Sequence, residues 1–320
     1  MMPYLLAAGA ATLASLLLVP PTVRLARARN LLDTPGAARR LHSEAVPRLG
    51  GIAVWLGCAA GIGLASLLGL SLGEMSVARS AGLFTGLLLM IVTGLVDDVR
   101  GLRAGTKFGA QCLAALLVIA VGFRIDAIAL PAGAPISLGW LSVPLTLLWL
   151  VGVTNAFNII DGLDGLASGV ALIALGAFAV AAVLLDNAWT LLVMLPLAGG
   201  ITGFLRYNAS PARIFLGDVG SLSIGFALAV LGVEAARGAA GGVHMAVPVF
   251  ALAFPLLDTA VAMLRRWLRG APLMGADGRH VHHQLVGLGL THTRTAVLIW
   301  LFALGVASLG LSIEFAPPAV

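Results

Sequence analysis

The stretch LTLLWLVGVTNAFNIIDGLDG (Leu145–Gly165) decides how this chain is read. Ten residues of almost unbroken apolar sequence run into Asn155, Asn158, Asp161 and Asp164. Carboxylates at membrane depth are costly and seldom idle. The four polar residues recur every third position, and on an ideal helix each such step falls about 60° short of a full circle. A straight helix therefore cannot aim all four at one ligand. Gly162 and Gly165 allow a break, with the asparagines on a helix end and the aspartates in a tight loop. A glycine-rich turn with solvated aspartates, or asparagines that only tie helices together, would each leave the concentration of polar groups unexplained.

The rest of the chain is as apolar as this run. Of 320 residues, 60% are hydrophobic and 10% charged, with a mean hydropathy of +1.03. A soluble protein carries about 25% charge. A polytopic, all-α membrane protein is expected, with residues 1–320 forming one transmembrane domain. Spans of roughly 20 apolar residues are predicted at 3–23, 50–72, 79–96, 107–123, 138–157, 166–185, 188–206, 219–233, 243–266 and 294–313, about ten in all. The first lacks a basic leader and runs into a basic segment, so it reads as a retained helix. Pro248 and Pro255 should kink or break the ninth. Cys58 and Cys112 lie in apolar runs and fit neither a disulfide framework nor a zinc site.

The sequence pI near 10.2 invites a nucleic-acid reading, which the distribution of charge excludes. Sixteen of the nineteen Lys and Arg residues fall in alternate loops; Arg79, Arg124 and Arg237 fall on the other side. The positive-inside rule makes the basic loops cytoplasmic and both termini external.

Five polar clusters share that cytoplasmic side: Leu31–Gly51, Gly94–Lys107, Asn155–Gly165, Ile214–Ser221 and Gly275–Leu285. On the other side Glu74, Asp126, Asp186 and Glu234 are scattered singly. Asp97 and Asp98 end an apolar run, where a helix dipole disfavours anions. A compensating cation is expected, either a metal or Lys107; the plain alternative is a solvated helix end. Asp218 sits between Gly217 and Gly220, as a helix cap or where phosphate or metal approaches the backbone. His280, His282 and His283 beside Arg279 form a basic loop. It reads as a phosphate-binding element or as a contact to anionic lipid. With no cysteine nearby and carboxylates and amides elsewhere, Mg²⁺ or Mn²⁺ is favoured over zinc. Asp258, deep in the ninth span, either satisfies backbone or pairs with an arginine. Clustered carboxylates need a cation, and a magnesium ion completes its shell with substrate phosphate. A soluble nucleotide-linked donor meeting a lipid acceptor follows as the expected chemistry.

The set GLVDD (94–98), NAFNIIDGLDG (155–165), FLGDVGS (215–221) and HVHH (280–283), in this order and on alternate loops, resembles the polyprenyl-phosphate N-acetylhexosamine-1-phosphate transferases. The resemblance covers about Asp33 to His283; its motifs are specific as a set and weak singly. It implies a cytoplasmic-face active site in the inner (plasma) membrane. There a polyprenyl phosphate, undecaprenyl phosphate in bacteria, attacks a UDP-N-acetylhexosamine, UMP leaves, and a polyprenyl-diphospho-sugar forms for envelope glycan synthesis. The family's usual cofactor is Mg²⁺. By similarity Asp97, Asp98 and Asp218 would be catalytic, with Asp218 and Asp98 at the metal and Asp97 a candidate base. Asn158, Asp161 and Asp164 would line the nucleotide pocket. Lys107, Arg48, Arg279, His280, His282 and His283 would meet phosphate. The family's early basic element stands here as RRLH (39–42), with Arg40 replacing lysine.

HVHH, where the MraY branch has HHH, is similar to the WecA/TagO branch, whose donor is usually UDP-GlcNAc. MraY-type transfer of phospho-MurNAc-pentapeptide is the alternative within the family. A proton- or metal-coupled transporter is the alternative outside it, but it needs polar residues along a path to the external face. An intramembrane aspartyl protease is excluded by Phe215 and by the lack of a Tyr-Asp pair. The partners implied are the lipid and the UDP-sugar, without nucleic acid; a homodimer is compatible with the sequence.

Overall fold

The computed structural model describes residues 1–33, 45–71, 75–130, 133–270 and 279–315. The element RRLH and most of the segment GADGR fall outside them. The chain folds as α1 (Met2–Ala28), β1 (Leu32–Asp33), β2 (Val46–Pro47), α2 (Gly50–Leu67), α3 (Val77–Arg100) and α4 (Ala104–Ala120), followed by β3 (Ala127–Ile128) and β4 (Ile136–Ser137). Then come α5 (Ser142–Ile160), α6 (Leu166–Leu184), α7 (Ala188–Asn208), α8 (Gly217–Ala235), α9 (Ala246–Ala251), α10 (Ala253–Leu268), α11 (Val281–Gly287) and α12 (His292–Phe315). Two antiparallel strand pairs, β1–β2 and β3–β4, are the departures from an all-helical chain.

Among the described residues eight helices are long and apolar enough to cross a membrane. The chain is a multi-pass membrane protein. Two of the expected spans fall short of that length. The fourth is α4, apolar but 17 residues long. The ninth is broken at Leu252, which ends α9 and begins α10. Pro248 and Pro255 each stand in the first turn of their piece, where the missing N–H leaves no intrahelical bond unmade.

The eighth expected span, α8, is the hub. Nearly all of it is buried, against α2, α3, α5 and α6. Helices in lipid gain little from apolar burial against one another, so close approach of small residues carries the packing. A Cβ on Gly94 of α3 would lie 2.2 Å from the Asp218 carbonyl oxygen, and one on Gly51 of α2 would lie 2.4 Å from the Gly220 backbone. These contacts bring α2 and α3 against the first turn of α8. That turn is also paired to the segment before α2: Phe215 N–H donates to the Pro47 carbonyl (2.8 Å) and Gly51 N–H to the Leu216 carbonyl (2.8 Å).

Candidate active site

The end of α3, the beginning of α8, the end of α5 and the first turns of α4 meet at one end of the bundle. Gly217 enters α8 at φ +71°, with no space for a side chain: a Cβ there would sit 2.6 Å from Asp98 Oδ2. Asp98 Oδ1 accepts from the Asp218 N–H (3.0 Å) and Oδ2 from the Val219 N–H (2.9 Å). A carboxylate at the unfavourable end of α3 thus caps the favourable end of α8. Asp97 is compensated by Lys107, whose Nζ lies 2.8 Å from Asp97 Oδ2 and 3.0 Å from Asp218 Oδ2. The cation expected beside the two adjacent aspartates is therefore present, supplemented by helix N–H groups.

Asn158 Nδ2 donates to Asp218 Oδ1 (2.8 Å) and to Ser221 Oγ (2.7 Å). Asn155 instead pairs its amide with Gln111 of α4 and bonds the Val151 carbonyl (2.8 Å), so it ties helices together. Asp161 stands just past α5, half-buried. Its carboxylate accepts no hydrogen bond from the described residues. Burial, and then the nearby charges of Asp218 and Asp98, push its pKa up to about 8. Four acidic side chains thus gather at this end of the bundle, two of them on the Lys107 ammonium group.

The other expected residues divide. Arg48 pairs with Asp33. The bridge between Arg48 and Phe215 places it beside the loop into α8. Asp164 is turned to different partners: Oδ2 accepts from the Ala212 N–H (3.1 Å) and lies 3.8 Å from His292 Nδ1. It fastens the turn between α5 and α6 to the loop after α7. His282 is buried (1% exposed), and neither ring nitrogen has a hydrogen-bond partner among the described residues. Its Nε2 is what a Cβ on Gly162, the neighbour of Asp161, would meet at 2.8 Å. Burial, and then His283, hold its pKa down to about 3. The ring is neutral. His283 packs against it with ring centroids 4.3 Å apart. Arg279 is exposed, and its carbonyl accepts from Arg265 (3.0 Å) and Gln284 (2.7 Å). His280 Nδ1 is bonded to Asp258 Oδ2 (2.8 Å). Asp258 therefore satisfies backbone and a histidine, not an arginine, and His280, expected at phosphate, is instead buried and turned to Asp258.

Ser221 and Gln111 were not foreseen. Ser221 lies one turn beyond Asp218 on the same helix, a spacing that could have flagged it; Gln111 carried no signal. Among the described residues, no three His, Cys, Asp or Glu side chains are disposed to ligate one ion together. Magnesium needs only one or two protein carboxylates, the remainder being water and phosphate. The oxygen-rich surroundings of Asp218, with Asp161 unpartnered nearby, fit such an ion.

Residues 80–236 match the model of glycosyl transferase family 4. That span holds Asp97, Asp98, Lys107, Asn158, Asp161, Asp164 and Asp218, while Arg48 and the histidine turn lie outside it. The chain is 35% identical to a probable undecaprenyl-phosphate N-acetylglucosaminyl 1-phosphate transferase of Bacillus subtilis, over 91% of this chain and 79% of that protein. The chain belongs to the polyprenyl-phosphate N-acetylhexosamine-1-phosphate transferases. Within that family it is also 36% identical to a decaprenyl-phosphate N-acetylglucosaminephosphotransferase of Mycolicibacterium smegmatis, over 85% and 72% of the two chains. A phospho-N-acetylmuramoyl-pentapeptide-transferase of Desulforudis audaxviator is 31% identical over 98% of both. The family's two branches are both represented among these relatives.

Proposed function

We propose that this protein transfers N-acetylhexosamine 1-phosphate, GlcNAc 1-phosphate in the first place, from a UDP-sugar to polyprenyl phosphate, releasing UMP. The observation that carries this reading is the gathering of Asp97, Asp98, Asp161 and Asp218 at one end of the bundle, with Lys107 paired to two of them, in a chain of this family. Such an excess of negative charge suits a site completed by a divalent cation and phosphate. The basic loops support a cytoplasmic-facing site in the inner membrane, in a ten-span chain with both termini external.

An oxygen of the lipid phosphate attacks the β-phosphorus of the donor. A P–O bond forms there, and the bond to the oxygen bridging the two phosphorus atoms breaks; that oxygen leaves on UMP. Asp97 would take any proton left on the lipid phosphate, whose second pKa is about 6. Lys107 supplies positive charge to the diphosphate. His282, His283, Arg279 and Arg48 border the phosphate side, and Asn158 and Asp161 the nucleotide side. Mg²⁺, or Mn²⁺ in its place, would be held by Asp218 with Asp98 and would offset charge on the phosphoryl group in flight.

UMP release from purified protein tests this, with undecaprenyl phosphate and either UDP-GlcNAc or UDP-MurNAc-pentapeptide. UMP is expected with lipid and UDP-GlcNAc together, falling about a thousandfold in Asp218→Ala and lost with EDTA. Release only with the pentapeptide donor would move the chain to the other branch. No release from folded protein in lipid would sink the transferase reading.

A further inference from the structure

Asp258 is the polar group of this chain whose placement is hardest to justify by packing. It lies in α10 three residues after Pro255, is 3% exposed, and has Phe254, Leu257 and Val261 as neighbours on a cavity wall. A carboxylate in such surroundings needs strong partners. Both of its oxygens reach out of the membrane helix to the loop that follows. Oδ2 is 2.8 Å from His280 Nδ1, and Oδ1 accepts from the Val281 N–H at 2.8 Å. An ionised carboxylate can only accept, so His280 carries its proton on Nδ1. Val281 opens α11, whose own residue before the helix, His280, makes no side-chain cap. Asp258 therefore caps α11 from a different helix.

The next residue is His282. Its ring lies parallel to that of His280, with centroids 6.0 Å apart and 8° between planes. It is pressed on Gly162 with both nitrogens buried and unpartnered. Leaving a buried polar atom unpartnered is costly, so this ring does not choose its place; it must be held there. Charge-assisted bonds to Asp258 supply the hold.

We propose that Asp258 is a positioning residue for the transfer reaction: through His280 and the first turn of α11 it holds His282 over the Asp161–Gly162 turn. The inference rests on the transferase reading for its kinetic consequence, not for its geometric one. Asp258→Asn keeps an acceptor for Val281 and turns an amide towards His280, so the charge-assisted bond is lost and only a neutral one, with His280 in its other tautomer, can replace it. His280→Asn keeps a donor at the Nδ1 position, whereas His280→Ala removes it.

The test measures UMP-release kinetics for each substrate, melting temperature, and site-resolved diethylpyrocarbonate labelling of His282 by mass spectrometry. Asp258→Asn and His280→Ala are expected to raise the KM for the UDP-sugar and the labelling rate of His282 about tenfold or more. The KM for the lipid should stay unchanged, and His280→Asn should stay near wild type on every readout. Unchanged labelling, both KM values rising together, or His280→Asn as impaired as His280→Ala would overturn the proposal. If Asp258→Asn does not fold, the two His280 variants decide by the same readouts. If wild type releases no UMP, the transferase reading has failed, and labelling of His282 alone decides the proposal.

Discussion

Helices α3 and α8 run antiparallel, and each of the two places where their ends meet carries a polar cluster. The clusters are separated by about 24 Å of α8. At the far end Glu234, 1% exposed, is met by two cations: Arg79 Nη2 at 2.8 Å and Arg237 Nη2 at 2.6 Å. Asn187 holds its carbonyl, Arg237 also reaches the Arg124 carbonyl (2.7 Å), and Arg79 covers the ring of Phe123. The expectation that acidic residues on that side stand singly is corrected here. Residues distant in sequence assemble into a knot in which two cations hold one anion. At the near end Asp97 and Asp218 share Lys107, Asp98 is held by the N–H groups of Asp218 and Val219, and Asp161 has no hydrogen-bond partner among the described residues. A cluster whose carboxylate is paired by two cations fastens helices, whereas one left short of positive charge is ready to receive it. Between them, residues 219–233 of α8 are apolar, glycine or serine.

The sharpest way to break this comparison is to neutralise one carboxylate in each cluster. Asp218→Asn should lower UMP release by about a thousandfold and leave the melting temperature near wild type. Glu234→Gln should do the reverse. Stability should fall by about 2–3 kcal/mol, below the value for breaking a fully buried pair because both arginines keep some solvent, with KM and kcat preserved. If Glu234→Gln abolishes turnover in folded protein, the division into fastening and working clusters fails.

A smaller effect is expected at Gly217. Alanine there adds a left-handed backbone cost of about 1–2 kcal/mol and drives a methyl group into the Asp98 carboxylate. Turnover should fall more than stability, because the cap on α8 aligns Asp218. Equal turnover in Gly217→Ala and wild type would show that the cap is not part of the working cluster.

The smallest effect concerns pH. His282 has a folded pKa of about 3, against an ordinary value of 6.5. Below pH 6.5 the unfolded chain takes up a proton that the folded chain refuses, so this residue's contribution is complete above 6.5. It is lost as the pH falls towards 3. His282→Gln should flatten the dependence of melting temperature on pH across that window. An unchanged slope would mean that the ring is solvated in the working protein.

The sequence by itself determined the membrane class, most span positions, the break at the prolines of the ninth span and the candidate carboxylates. Each of these depends on residues near one another in the chain: apolar run length, proline's missing N–H, or an aspartate beside a glycine. The opening stretch illustrates the limit. Its spacing showed that four polar residues could not share one target, but not how they divide. Only the tertiary structure sent Asn155 to Gln111, Asn158 to Asp218 and Ser221, Asp164 to the loop after α7, and left Asp161 unpartnered. It alone joined Asp258 to His280 and Glu234 to Arg79, pairs 22 and 155 residues apart. The physical reason is that pairing depends on which helix faces which. That is set by where glycines such as Gly94 and Gly51 let backbones touch, and no local pattern of charge or hydropathy encodes it.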